Sequence, residues 1–129
     1  MLTRMNKGMA ATMAICLVLI TIPFSTAYAD KSSVRIEAPE SAAPGSEITI
    51  TLHVSHDGNN FMHYTEWVYL KIDGEEVARW SFGGFSKPES DNFTRTFPYA
   101  FRKPIEIQAE ASCNIHGSTG VSTAKVASK

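Results

Sequence analysis

From Asp30 to Lys129 no stretch sustains a helical period, and short runs alternate apolar and polar residues instead. Ile48, Ile50, Leu52 and Val54 alternate with Thr49, Thr51, His53 and Ser55, which is the pattern of a strand with one buried face. Six other runs read the same way. They are Val34 to Ala38, Trp67 to Ile72, Val77 to Phe82, Phe93 to Phe97, Ile105 to Ala111 and Val121 to Val126. Turn residues separate them, including Ala43-Pro44-Gly45-Ser46 and the tight hairpin signal Asp73-Gly74. Gly83 to Asp91 reads as a longer loop. About seven short strands with frequent turns predict an all-β fold, an immunoglobulin-like β-sandwich. Trp67, Trp80 and Phe82 read as core residues, and Glu75 and Glu76 as a solvated hairpin edge.

The sandwich begins after a segment of another kind. Arg4 and Lys7 are the only charges in residues 1–29; an apolar run follows from Met9 to Phe24, then Ala27-Tyr28-Ala29. A basic start, an apolar middle and a small-residue exit predict a secretory signal peptide over residues 1–29, with the domain at 30–129. The run is shorter than the about 20 residues of a bilayer span, so no membrane association is expected after cleavage. A periplasmic or secreted location follows. Cys16 lies in the removed segment, which leaves Cys113 as the one cysteine of the mature chain. It is a buried thiol, an intermolecular bridge or a metal ligand.

Charge narrows the partners. The full chain carries a formal net charge of −1, which argues against a nucleic-acid binder. No Ser/His/Asp order, phosphate loop or carboxylate pair stands out. What stands out is the distribution of the histidines. His53, His56 and His63 lie around one strand end, and His116 follows Cys113 in Cys113-Asn114-Ile115-His116-Gly117. Loops at one end of a sandwich converge, and imidazoles with a thiolate suit zinc, copper or iron. Each residue also has a plainer reading. His53 shares the outward face of its strand with Thr49 and Thr51. His56 stands where the strand breaks into Asp57-Gly58-Asn59-Asn60. His63 precedes Tyr64 and Trp67 and has aromatic neighbours to pack on. Spacing alone leaves these alternatives open.

The stretch Cys113-Asn114-Ile115-His116-Gly117 resembles the iron domain of the desulfoferrodoxin and superoxide reductase family. Ile36-Glu37-Ala38-Pro39-Glu40, His56, and His63-Tyr64-Thr65-Glu66-Trp67 agree with it, as does the place of Asp73-Gly74. The likeness runs over about residues 33–127. It implies a seven-stranded sandwich holding one mononuclear iron, with four planar imidazoles, an axial thiolate and an open position for superoxide. Carried over by position, His56, His63 and His116 match planar ligands and Cys113 the thiolate. Ser32 stands where the family's first histidine is expected, and His53 is the one remaining histidine to replace it. The His56–His63 gap is one residue longer than the family pattern. Residues 57–62 contain no lysine to guide superoxide, and Asp30 is the nearest counterpart of the family's glutamate. The implied partners are superoxide and a separate electron-donor protein, since the chain has no Cys-x-x-Cys; a homo-oligomer is among the expectations. A second resemblance, over Val34 to His56, is to the sandwich subunit of the periplasmic thiosulfate-oxidising carrier complex, a binding module without metal chemistry. A structural sandwich with an incidental thiol is the third reading.

Overall fold

The computed structural model describes residues 31–129. The signal-peptide segment, Cys16 and Asp30 lie outside the described residues. Eight strands follow in order: β1 Ser33–Glu37, β2 Ser41–Ala42, β3 Glu47–Ser55, β4 Thr65–Ile72, β5 Glu75–Ser81, β6 Asn92–Ala100, β7 Ile105–Cys113 and β8 Ser122–Ser128. They form two sheets, β1-β3-β6 and β2-β8-β7-β4-β5, and no helix occurs among the described residues. All pairings are antiparallel except the two-residue match of β2 with β8. This is the expected immunoglobulin-like sandwich with one strand more than the alternation reveals. β2 pairs only Ser41 with Ala127 and Ala42 with Ser128, which is too short for a period of two to show.

The core lies between the sheets. Ile48, Ile50, Leu52 and Val54 of β3 face Val68 and Leu70 of β4 and Ile105, Ile107, Ala109 and Ala111 of β7 across the interior, all buried. Each fully buried Leu or Ile contributes about 1.5–3 kcal/mol of hydrophobic stabilisation. Trp80 and Phe82 pack against this core as expected. Trp67 does not. It shares a strand parity with Tyr69 and Lys71, opposite to the buried Val68, Leu70 and Ile72, and its ring stacks on Tyr69 at 5.6 Å. The outer face of the five-stranded sheet therefore carries Trp67, with the Arg79 guanidinium over its ring.

The topology sends three long loops to one end. There β3 leads into β4, β5 into β6, and β7 into β8. Ser32, just before β1, is at the same end: its amide donates to the Gly117 carbonyl at 3.2 Å, and its carbonyl accepts the Thr119 amide at 3.0 Å. The Asp73-Gly74 turn and the Ala43–Ser46 turn lie at the other end.

Candidate metal centre

The first ligand-bearing loop starts where β3 runs out of partners. The His56 amide donates to the Asp91 carbonyl at 2.9 Å, and the side chain turns inward, 2% exposed. Asn59 then pins the loop. Its amide donates to Asp91 Oδ1 at 3.0 Å and its Nδ2 to the Ser90 carbonyl at 2.9 Å. Its Oδ1 lies 2.8 Å from His56 Nδ1 and accepts the Thr65 amide at 2.7 Å. Asn60 Oδ1 accepts the amides of Met62 and His63, both at 2.9 Å, and so shapes the turn that carries the His63 ring.

The second loop is a closed knuckle. Cys113 and Gly117 exchange backbone hydrogen bonds at 2.9 and 3.2 Å. Closing it in so few residues needs the left-handed backbone of Gly117, φ +79°. Inside the knuckle the amides of Ile115 and His116 both point at Cys113 Sγ, at 3.4 Å. Two N–H groups aimed at one sulfur suit a metal-bound thiolate. Asn114 fastens the loops together. It donates its amide to the Tyr64 carbonyl, accepts the Tyr64 amide, and donates its Nδ2 to the Met62 carbonyl, at 3.0, 3.0 and 3.1 Å.

The two loops bring three imidazoles and the thiol together. His63 Nε2 lies 3.1 Å from His56 Nε2 and 3.1 Å from His116 Nδ1. The rings meet edge to face, with interplanar angles of 84° and 80°. Ligand atoms of His56, His63 and Cys113 all lie within 4.8 Å of one another. The set grades from buried His56 and Cys113 to exposed His116, so one side is closed by the sandwich and the other opens to water. Two imidazole nitrogens and one sulfur at this spacing, with His116 Nδ1 beside His63 at the open side, suit a transition ion of intermediate softness.

His53 does not join them. The β3 alternation puts it on the outer face, where its Nε2 lies 2.5 Å from Glu37 Oε2. No imidazole replaces the one missing at position 32. Ser32 is fully buried, and its hydroxyl shares a 2.8 Å hydrogen bond with Thr65 Oγ1, beside the strand position opposite Cys113. Asn59 and Asn114 escape a reading of the sequence for ligands. Their signal, an amide inside a turn, is the same as that of any loop asparagine.

A family model described as Desulfoferrodoxin matches residues 25–119. Among solved structures the chain is similar to a superoxide reductase (neelaredoxin) from Ignicoccus hospitalis, at 21% identity and a TM-score of 0.63, covering 77% of this chain and 82% of that one. It is similar to the neelaredoxin of Archaeoglobus fulgidus in the reduced form, at 20% identity and a TM-score of 0.55, over 74% and 89%. A fibronectin(III)-like module of Clostridium thermocellum CbhA follows, at 17% and 0.51, over 74% and 96%. At these identities the likeness is one of fold. No curated protein matches.

Proposed function

The chain belongs to the desulfoferrodoxin family, and from that premise we propose that it is an exported mononuclear non-haem iron protein that reduces superoxide to hydrogen peroxide. The observation that carries this reading is the meeting of His56, His63 and Cys113 ligand atoms within 4.8 Å, with His116 Nδ1 at 3.1 Å from His63. His56 and His63 would hold the ion through Nε2, His116 through Nδ1 and Cys113 through Sγ. When bound, ferrous iron supplies the single electron that, with two protons, turns superoxide into hydrogen peroxide and leaves the iron ferric. A separate electron-donor protein must restore it, because Cys113 is the only cysteine of the domain.

The protein's own part is arrangement. Asn59 orients the His56 ring, Asn60 sets the His63 turn, and the knuckle amides face the sulfur. The exposed edge at His116 admits a small anion and water. The set is one imidazole short of the four that the family resemblance implies, so iron binding and turnover are separate claims and need separate assays.

Anaerobic purification should yield one iron per chain, and oxidation should produce a visible sulfur-to-iron charge-transfer band that Cys113→Ala abolishes. Superoxide should be consumed in step with donor oxidation and without release of oxygen. Iron binding with superoxide decay no faster than in buffer would remove the enzyme claim and leave a binding role. A colourless, metal-free protein that stabilises a partner would overturn the whole reading in favour of a binding module such as the thiosulfate-carrier sandwich.

A further inference from the structure

The groups that hold the His56 loop come from two adjacent residues at the end of the β5–β6 loop. The Ser90 carbonyl accepts from Asn59 Nδ2, Asp91 Oδ1 accepts the Asn59 amide, and the Asp91 carbonyl accepts the His56 amide. On the downstream side β6 fixes this pair of residues. Asn92 stands opposite Ser55, and its Oδ1 accepts from the Ser55 hydroxyl at 2.7 Å. On the upstream side the neighbour is Glu89. Its two carboxylate oxygens accept from Arg95 Nη1 and Nη2 at 2.7 and 3.0 Å, which is a fork contact with a fixed direction.

Arg95 is itself held in place. It shares strand parity with the buried Phe93, so it lies on the inner face of β6, and its side chain is only 22% exposed. A cation on that face is costly unless it is paired. The rings of Phe93 and Phe82 lie 4.9 and 5.3 Å from the guanidinium, and Nη1 also donates to the Thr94 carbonyl at 2.7 Å. A guanidinium stacked on two rings and bonded to its own strand is a fixed post. Its hydrogen bond is the main cause that holds the Glu89 carboxyl down at about 2, so the pair stays charged wherever imidazoles are free to bind a metal. A pair with one partner this exposed adds little to stability. What it does set is where residue 89 lies. The other fork of this kind, Arg79 with Glu76, stays within β5.

We propose that Arg95 is a positioning residue for the metal centre: it anchors Glu89, so that Ser90 and Asp91 hold Asn59 and Asn59 holds the His56 ring. None of these groups touches the ion. The proposal rests on the metal-centre reading above and not on the reaction assigned to it, and it does not depend on which metal is bound.

A double-mutant cycle tests it. Cobalt(II) affinity is measured by chelator competition in wild type, Glu89→Ala, Asn59→Ala and the double variant. Glu89→Ala should weaken binding about tenfold, the lower end of what the outer partners of a metal ligand contribute. In the Asn59→Ala background it should have no further effect, because the route to His56 is already cut. Glu89→Gln, which still accepts one Arg95 hydrogen bond, should fall between wild type and Glu89→Ala. Glu76→Ala, which breaks the fork within β5, should bind as wild type does. A second readout needs no metal. In the metal-free protein the His56 Nδ1 proton, sheltered by Asn59 Oδ1, should exchange with water faster in Glu89→Ala, with circular dichroism unchanged. The proposal is overturned if Glu89→Ala binds cobalt and shelters the ring proton as wild type does. It is equally overturned if its loss of affinity adds in full to that of Asn59→Ala, which would make the pair a general stabiliser of the fold. A wild-type protein that binds no cobalt would sink the metal-centre reading instead, and the ring proton would still decide whether Arg95 positions His56.

Discussion

The Asn59 carboxamide fixes the ring of His56. Asn59 Nδ2 donates to the Ser90 carbonyl, so its Oδ1 is the atom that faces His56 Nδ1 at 2.8 Å and the Thr65 amide at 2.7 Å. A ring nitrogen beside that oxygen carries the proton, which leaves His56 Nε2 with the lone pair aimed at His63. Asn59→Ala should lower metal affinity about 10–100-fold by freeing ring and tautomer. Asn59→Asp keeps an acceptor for Nδ1 but sets its second oxygen against the Ser90 carbonyl, so it should recover only part of the loss. Competition with a chelator measures both, and far-ultraviolet circular dichroism checks that the fold persists.

His53→Ala should leave metal content and affinity unchanged. Its ring is committed to Glu37 on the outer face of the three-stranded sheet, with side-chain exposures of 33% and 62% for the pair. Exposed pairs of this kind contribute about 0–1 kcal/mol, so urea unfolding should move little. A loss of metal comparable with that of a His63→Ala variant would return His53 to the ligand set.

How much of this was legible in the sequence depends on the range of the interaction. The β3 alternation is visible because one face of that strand is wholly buried, and a shift by one residue would expose all four apolar side chains. The knuckle is visible because Cys113, His116 and Gly117 are local and chemically distinctive. Trp67 misleads because a large aromatic suggests core, while strand parity, which was also on view, places it outside with Tyr69. β2 is hidden by its length. The roles of Asn59 and Asn114 are hidden for another reason. Asn59 reaches Asp91 and Asn114 reaches Tyr64, contacts made across 32 and 50 positions. Only the sandwich topology brings such residues together.

Ser32→Ala should destabilise the protein without touching the metal. Ser32 and Thr65 are both fully buried, and their hydroxyls are within 2.8 Å of each other. Removing one hydroxyl leaves Thr65 Oγ1 without that partner in a site closed to water, at a cost of about 1–3 kcal/mol. Urea unfolding at neutral pH reads the loss. Unchanged metal affinity would agree with Ser32 lying outside the donor set.

Gly84→Ala should disturb the centre from a distance. A Cβ at Gly84 would stand 2.4 Å from the Phe61 carbonyl oxygen and 3.4 Å from its carbon, so backbone has to move. Phe61 lies two positions before His63, and the displaced strand of loop carries that ring with it. A stability loss of about 1–3 kcal/mol is expected from the overpacking, together with weaker metal binding. Gly83→Ala, whose Cβ meets only the flexible Ser86 Oγ at 3.2 Å, should be milder on both counts.

Tyr69 ties part of the fold's stability to alkaline pH. Its phenol is buried on the outer face of the five-stranded sheet and donates to Glu110 Oε2 at 2.8 Å. Burial first, then the hydrogen bond to Glu110 and its charge, push the phenol from 10.0 up to about 12, against the pull of Arg79. Between those values the unfolded chain releases this proton and the folded chain keeps it. The stabilisation is therefore complete below about pH 10 and is lost as pH rises toward about 12. Tyr69→Phe removes both the hydrogen bond and the titration. Its stability deficit relative to wild type should be constant from pH 7 to 9 and shrink steadily above pH 10. Urea midpoints across that range measure it. A deficit that stays level to pH 11.5 would mean that the phenol loses its proton equally readily in both states, and that the Glu110 contact does not protect it.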